Sequence, residues 1–106
     1  MANDYYHSQQ FIDDIHKGSE KLVAEALEHN GALYRVNGIT SAVNHKIVSP
    51  IIVEKIIKLK DDNVVTICGA YVSEYAIAAL DILGIEKYTG NEFRILRLIE
   101  SGFNFW

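Results

Sequence analysis

The chain of 106 residues contains a single proline, Pro50, so almost no position forbids an α-helix. Ser49 before it is a residue type that caps helix N-termini. Proline suits the first helical position, because the amide hydrogen that it lacks would have no partner there. Apolar residues then recur at helical spacing from Ile52 to Ile57. We therefore predict a helix that begins at Pro50 and stops near Asp61.

Further helices are indicated by a capping residue before apolar residues at helical spacing and a glycine or polar turn after them. They are expected at about residues 8–17, 19–29, 40–45, 73–83 and 91–101. Gly84 and Gly102 are expected to adopt the left-handed conformation that ends a helix. The β-branched run from Val64 to Cys68 is expected to be an extended connection, because a single strand cannot form a sheet. Gly69 then allows a tight turn.

Three helix ends share one pattern, an apolar residue followed by two more apolar residues three and four positions later and then a charge. They are Val23–Glu28, Val53–Lys58 and Ile95–Glu100, which start 30 and 42 residues apart. A single helix pair cannot bury its own apolar faces, whereas stacked pairs share one core. The sequence therefore predicts one all-α domain over residues 1–106, a short stack of about three helix pairs. The predicted core comprises Ile56, Ile57, Leu80, Leu83, Leu98 and Ile99.

Two families of helical repeats resemble parts of this chain. Asn37–Val43 resembles the start of an ankyrin repeat, because Gly38 and Thr40 match the glycine and threonine of the pattern Gly-x-Thr-Pro-Leu-His. Leu98–Asn104 is similar to the end of the second helix of an ankyrin repeat. A HEAT repeat is the alternative, since Ala78–Leu80 is similar to part of its first helix. Either resemblance, ankyrin-like or HEAT-like, implies a solenoid of helix pairs that binds proteins and has no chemistry of its own.

The net charge of the chain indicates which classes of partner it can bind. The chain has 14 acidic and 10 basic residues, a net charge of −4. Nucleic acids and anionic membrane surfaces both require a basic surface, so neither is expected as a partner, whereas a basic protein fits. The apolar runs are shorter than the roughly 20 residues of a membrane-spanning helix. Met1–His7 lacks the pattern of a signal peptide, so we expect a cytoplasmic protein.

Patterns that would indicate catalysis or metal binding are weak. The four histidines, at positions 7, 16, 29 and 45, do not stand at the spacing of metal ligands. The glycines form no nucleotide-binding loop. A nucleophilic pair between Cys68 and a histidine is formally possible, and the alternative is an inert cysteine in an apolar context. We expect no metal, no cofactor and no enzymatic activity.

Acidic and tyrosine side chains are expected to share one face of the stack. A stack of helix pairs leaves its connections and inner helices free, and tyrosine is a frequent interface anchor. The predicted partner-binding residues are Asp61, Asp62, Tyr71, Glu74, Tyr75 and Tyr34. The alternative is that the carboxylates are ordinary surface charges and the tyrosines are buried. The aromatic segment from Phe103 to Trp106 is expected to fold back as a cap, with an exposed docking tail as the alternative.

In its small size, its net negative charge and its lack of catalytic motifs, the chain is similar to bacterial immunity proteins, including those of contact-dependent growth inhibition systems. This similarity implies a protein that neutralises a basic toxin, such as a nuclease, by covering its active site. The alternative function is an adaptor or scaffold module that binds another cytosolic protein. In either case we expect a monomer or a one-to-one complex with the partner. A toxin gene beside the gene for this chain would distinguish the two functions.

Overall fold

The structure is a computed structural model that describes residues 2–103. Six α-helices contain more than half of these residues. They are α1 (Gln9–Ile15), α2 (Glu20–Leu27), α3 (Ala32–Asn44), α4 (Pro50–Lys58), α5 (Val72–Ile82) and α6 (Phe93–Ser101). Short 3-10 turns occupy Ala2–His7 and Leu59–Asp61. Strand pairing within residues 2–103 is limited to one antiparallel bridge, between Val65 and Tyr71. The predicted all-α class is confirmed.

The helix boundaries follow the capping chemistry of the sequence. The Ser8 side chain accepts a hydrogen bond from the backbone N–H of Phe11 at 3.2 Å, which fixes the start of α1. Pro50 occupies the first turn of α4, directly after the extended Ser49. Gly84 and Gly102 have positive φ angles of 76° and 60°, so the predicted left-handed ends of α5 and α6 are confirmed.

The prediction of a short helix over 40–45 is wrong, because α3 begins eight residues earlier, at Ala32. Gly38 and Thr40 therefore lie inside α3 and not at the start of a helix. Gly38 has a packing role there, since a Cβ atom at this position would lie 3.0 Å from the Cβ atom of Ala26 in α2. The missing side chain lets α2 and α3 pack closely, and this contact offsets the low helix propensity of glycine.

The helices enclose one apolar core. Helix α2 packs on α3, α5 packs on α6, and α3 contacts α5, while α4 contacts both α2 and α5. Ile56, Leu80 and Leu98 are buried as predicted, and Leu83 and Ile99 are half-buried against the same core.

The predicted burial of Ile57 is wrong, because its side chain is 45% exposed. The buried face of α4 passes through Ile52 and Ile56, which stand four residues apart and therefore lie on one side of the helix. Ile57 follows Ile56 by one position, and its side chain is rotated by about 100° around the helix axis. The apolar run therefore predicted the helix correctly, but it did not show which side of the helix is buried.

The C-terminal aromatic segment begins inside the core. Phe103 is buried and its ring meets the ring of Tyr75 edge-on at a centroid distance of 5.7 Å. This residue closes the end of the α5–α6 pair, as the predicted cap requires. The remainder of the predicted cap or tail, residues 104–106, lies outside the described residues.

Candidate functional site

The connection between α4 and α5 forms a narrow projection that we call the finger, residues 64–71. The backbone N–H of Thr66 donates to the carbonyl of Ala70 at 2.8 Å, and the N–H of Val72 donates to the carbonyl of Val64 at 2.9 Å. Gly69 makes the turn at the tip, where its φ of 93° favours glycine. The predicted extended connection is thereby confirmed, as a small hairpin-like loop.

Large apolar side chains on the finger point to solvent. The Ile67 side chain is fully exposed, and those of Val64, Val65 and Tyr71 are exposed for 40% or more of their area. Phe93, the first residue of α6, is exposed as well. A concentration of exposed apolar side chains on one small domain is typical of a surface that binds another molecule.

Two neighbouring cavities that share Cys68 and Tyr75 lie beside the finger, and we call them the two lobes of a groove. The apolar lobe has a volume of about 430 Å³ and is bounded by the finger and by α3, including Leu33 and Val36. The arginine lobe has a volume of about 300 Å³ and is bounded by the finger and by α6, including Arg94 and Arg97. Cys68 and Tyr75 line both lobes, so this pair stands between them.

The side chains of Cys68 and Tyr75 are joined by a hydrogen bond. The Tyr75 hydroxyl lies 2.9 Å from the Cys68 Sγ atom, and the Thr66 hydroxyl lies 3.2 Å from the same sulfur. Partial burial acts to raise the pKa of the Cys68 thiol, but these hydrogen bonds outweigh it and leave the pKa below its ordinary value. Burial raises the pKa of Tyr75, with a further contribution from the bond to Cys68. The tyrosine therefore remains protonated, and its hydroxyl can donate to the sulfur when Cys68 is a thiolate.

The predicted exposure of Glu74 and Tyr75 on an acidic face is wrong. Tyr75 is 1% exposed, because its ring lies in the core against Phe103. Glu74 is buried at the start of α5, where its carboxylate accepts the backbone N–H of Tyr71 at 2.8 Å. The two oxygens of the same carboxylate also accept hydrogen bonds from the Nε–H of Arg94, at 3.0 and 3.1 Å. Glu74 therefore fixes Arg94 and the start of α5, and Tyr75 lines the bottom of both lobes.

The other four predicted residues are divided among different surroundings. Asp62 is half-buried and forms an ion pair with Arg35, whose Nε atom lies 2.8 Å from Oδ2. Tyr34 is half-buried in an aromatic cluster at the other side of α3, with its ring 5.7 Å from that of Phe11. Tyr71 is exposed at the end of the finger, and Asp61 is exposed three residues before the finger begins. These last two keep their predicted role as candidate contact residues.

The predicted site residues did not include Ile67 of the finger, nor Phe93, Arg94 and Arg97 of α6. The exposure of Phe93 could have been predicted from the sequence. Ile95 and Leu98 stand three residues apart and define the buried face of α6, and Phe93 does not lie on that face. Ile67 carries no such signal, since an extended apolar run has the same sequence whether it is covered or exposed.

Within residues 2–103, no three histidine, cysteine, aspartate or glutamate side chains come together as metal ligands would. None of the helices in this part of the chain has the length and apolar character needed to cross a membrane. No protein-family model, curated protein or solved structure matches the chain.

Proposed function

We propose that this chain is a protein-binding inhibitor of the toxin-immunity class, and that it docks on its partner through the finger and the adjoining groove. The observation that carries the proposal is the exposure of Ile67, Val65 and Phe93 beside a groove lined by apolar side chains. Burying such side chains against a partner removes apolar area from water, at about 25 cal/mol per Å². Aromatic and aliphatic anchors of this kind supply most of the energy of protein interfaces.

Charge has a second role in the proposal. Asp62 and Glu74 are neutralised by Arg35 and Arg94, so they add little acidity to the docking surface. Asp61 remains exposed three residues before the finger, and the whole chain carries a net charge of −4. A net negative charge accelerates the encounter with a basic toxin, whereas the apolar side chains hold the complex once it has formed.

The proposal includes a short repeat-like stack, ankyrin-like or HEAT-like, that acts in the cytoplasm. Its support is the pairing of α2 with α3 and of α5 with α6, together with the contact between α3 and α5 that joins the two pairs. The finger connects α4 to α5, and such connections between helices are the positions where repeat stacks carry binding residues.

The test measures whether this chain neutralises the protein encoded by the neighbouring gene. We expect expression of that neighbour alone to arrest growth, and co-expression of the wild-type chain to restore it. Ile67→Ser is expected to weaken the complex about tenfold, because a central apolar anchor contributes more than 1 kcal/mol. Ile51→Ser is the matched control, since Ile51 is an exposed isoleucine of α4 that does not line the groove.

A second variant addresses the proposed absence of catalysis. Cys68→Ser removes the one thiol of the chain but keeps a hydroxyl of similar size beside Tyr75, so we expect neutralisation of the neighbour to persist with at most a small loss of affinity. A neighbour that is not toxic, or whose toxicity the wild-type chain leaves unchanged, would refute the immunity function. An adaptor would form a complex through the same surface without restoring growth.

A further inference from the structure

The two lobes of the groove differ in charge. No acidic or basic side chain lines the apolar lobe, and its tyrosine hydroxyl, that of Tyr75, is already bonded to Cys68. The arginine lobe contains two guanidinium groups, those of Arg94 and Arg97. A molecule that fills both lobes therefore meets an apolar surface at one end and positive charge at the other.

One of the two arginines is already neutralised. Arg94 donates to the buried carboxylate of Glu74 and lies over the ring of Tyr71, with its guanidinium carbon 5.6 Å from the ring centre. Arg97 lies over the ring of Phe93, also at 5.6 Å. Within residues 2–103, no carboxylate oxygen lies within 4.0 Å of the Arg97 guanidinium. The lobe thus presents one guanidinium group, that of Arg97, that forms no ion pair within residues 2–103 and lies on an exposed aromatic ring.

We propose that the groove binds an extended segment of the partner protein that carries a large apolar side chain and, within a few residues of it, an aspartate or glutamate. The apolar side chain would fill the apolar lobe, and the carboxylate would accept hydrogen bonds from Arg97. Guanidinium groups bind carboxylates well, because two parallel N–H groups match the two oxygens. This inference rests on the proposed function, since it names the chemistry of the segment that docks at the same surface.

The shape and charge of the groove favour a peptide over other occupants. Both lobes are open to solvent along one side, whereas small-molecule sites enclose most of the ligand. A nucleic acid needs several cations along its phosphates, and the groove offers one cation that forms no ion pair in the described part of a chain of net charge −4. A peptide needs only an apolar anchor and one charge contact.

The test is a selection of random heptapeptides displayed on phage against the full-length chain. We expect the enriched sequences to share a large apolar residue and an aspartate or glutamate near it. A synthetic peptide of the enriched sequence is then measured by fluorescence anisotropy. Arg97→Glu is expected to weaken its binding about fivefold or more, the upper range for an exposed ion pair, because the variant also repels the carboxylate.

Lys21→Glu is the matched control, because it changes the net charge equally at an exposed position of α2 that does not line the groove. We expect it to leave the affinity for the peptide unchanged. Replacing the acidic residue of the peptide by lysine is expected to weaken binding to the wild type by a similar factor and to restore the affinity with Arg97→Glu.

Three results would overturn the inference: no enriched sequence, enrichment of basic or uncharged sequences, or equal effects of Arg97→Glu and Lys21→Glu on the affinity. The two proposals fail separately. If the peptides bind as expected but growth is not restored by the wild-type chain, only the immunity function is refuted. If growth is restored and the selected peptides lack the acidic residue, only the present inference is refuted.

Discussion

Replacing Ile56 by alanine should destabilise the fold far more than replacing its neighbour Ile57 by alanine. The two residues have the same side chain and adjacent places in α4, but Ile56 is fully buried and Ile57 is 45% exposed. The two substitutions therefore differ only in which side of the helix they change.

The expected magnitudes follow from burial. Ile→Ala removes three carbon atoms, worth about 0.8 kcal/mol each when buried, or roughly 2.4 kcal/mol at Ile56 before the cavity is counted. The cavity raises the expected loss to about 2–5 kcal/mol. At Ile57 only about half of this burial free energy is lost, because the side chain is half-exposed. The better helix propensity of alanine then offsets several tenths of a kcal/mol of that loss. We therefore expect a loss below about 1 kcal/mol at Ile57.

The assay is urea denaturation followed by far-ultraviolet circular dichroism. With a slope near 1.5 kcal/mol per M, a loss of 3 kcal/mol at Ile56 lowers the midpoint by about 2 M. If Ile56→Ala does not fold, Ile56→Val is compared with Ile57→Val, with an expected loss of about 0.5–1.5 kcal/mol at Ile56 and a smaller loss at Ile57. A midpoint that falls as far for the Ile57 variant as for the same substitution at Ile56 would show that α4 is rotated relative to the described core.

Two further predictions concern the base of the groove. Glu74→Ala should lower the free energy of unfolding by about 2 kcal/mol in the same assay, because it removes the cap on the Tyr71 N–H and the partner of Arg94. The exposed Glu54→Ala is the control, and equal losses for the two variants would contradict the described contacts. The alkylation rate of Cys68 by iodoacetamide should rise with pH through a midpoint below the ordinary pKa of a free thiol. Tyr75→Phe should raise that midpoint, since it removes a hydrogen bond that favours the thiolate, and an unchanged midpoint would refute this role of the hydroxyl.

Most helix boundaries could be predicted because their causes are local. A serine cap, a proline in the first turn or a glycine after the last turn acts within a few residues, as at Ser8, Pro50 and Gly102. The start of α3 could not be predicted in this way. Its N-cap is Gly31, which makes no side-chain hydrogen bond, and Gly38 is helical because α2 packs against it.

The site was harder to predict than the fold, because its electrostatics depend on distant pairs. Asp62 and Glu74 look like free acidic residues in the sequence, and only the fold brings Arg35 and Arg94 to them. A charge count therefore predicted an acidic face where the structure has an apolar finger and a positive lobe. The tyrosines illustrate the same limit, since Tyr71 is exposed and Tyr75, four residues later, is buried.

The central claim is that the finger and the first turns of α6 form the docking surface. Hydrogen–deuterium exchange of the chain, free and in complex with the product of the adjoining gene, tests it most directly. We predict slower exchange on binding for peptides that cover the finger and residues 91–97, and unchanged exchange for peptides that cover α2 and α4. Protection of α2 or α4 with an unprotected finger would contradict the account.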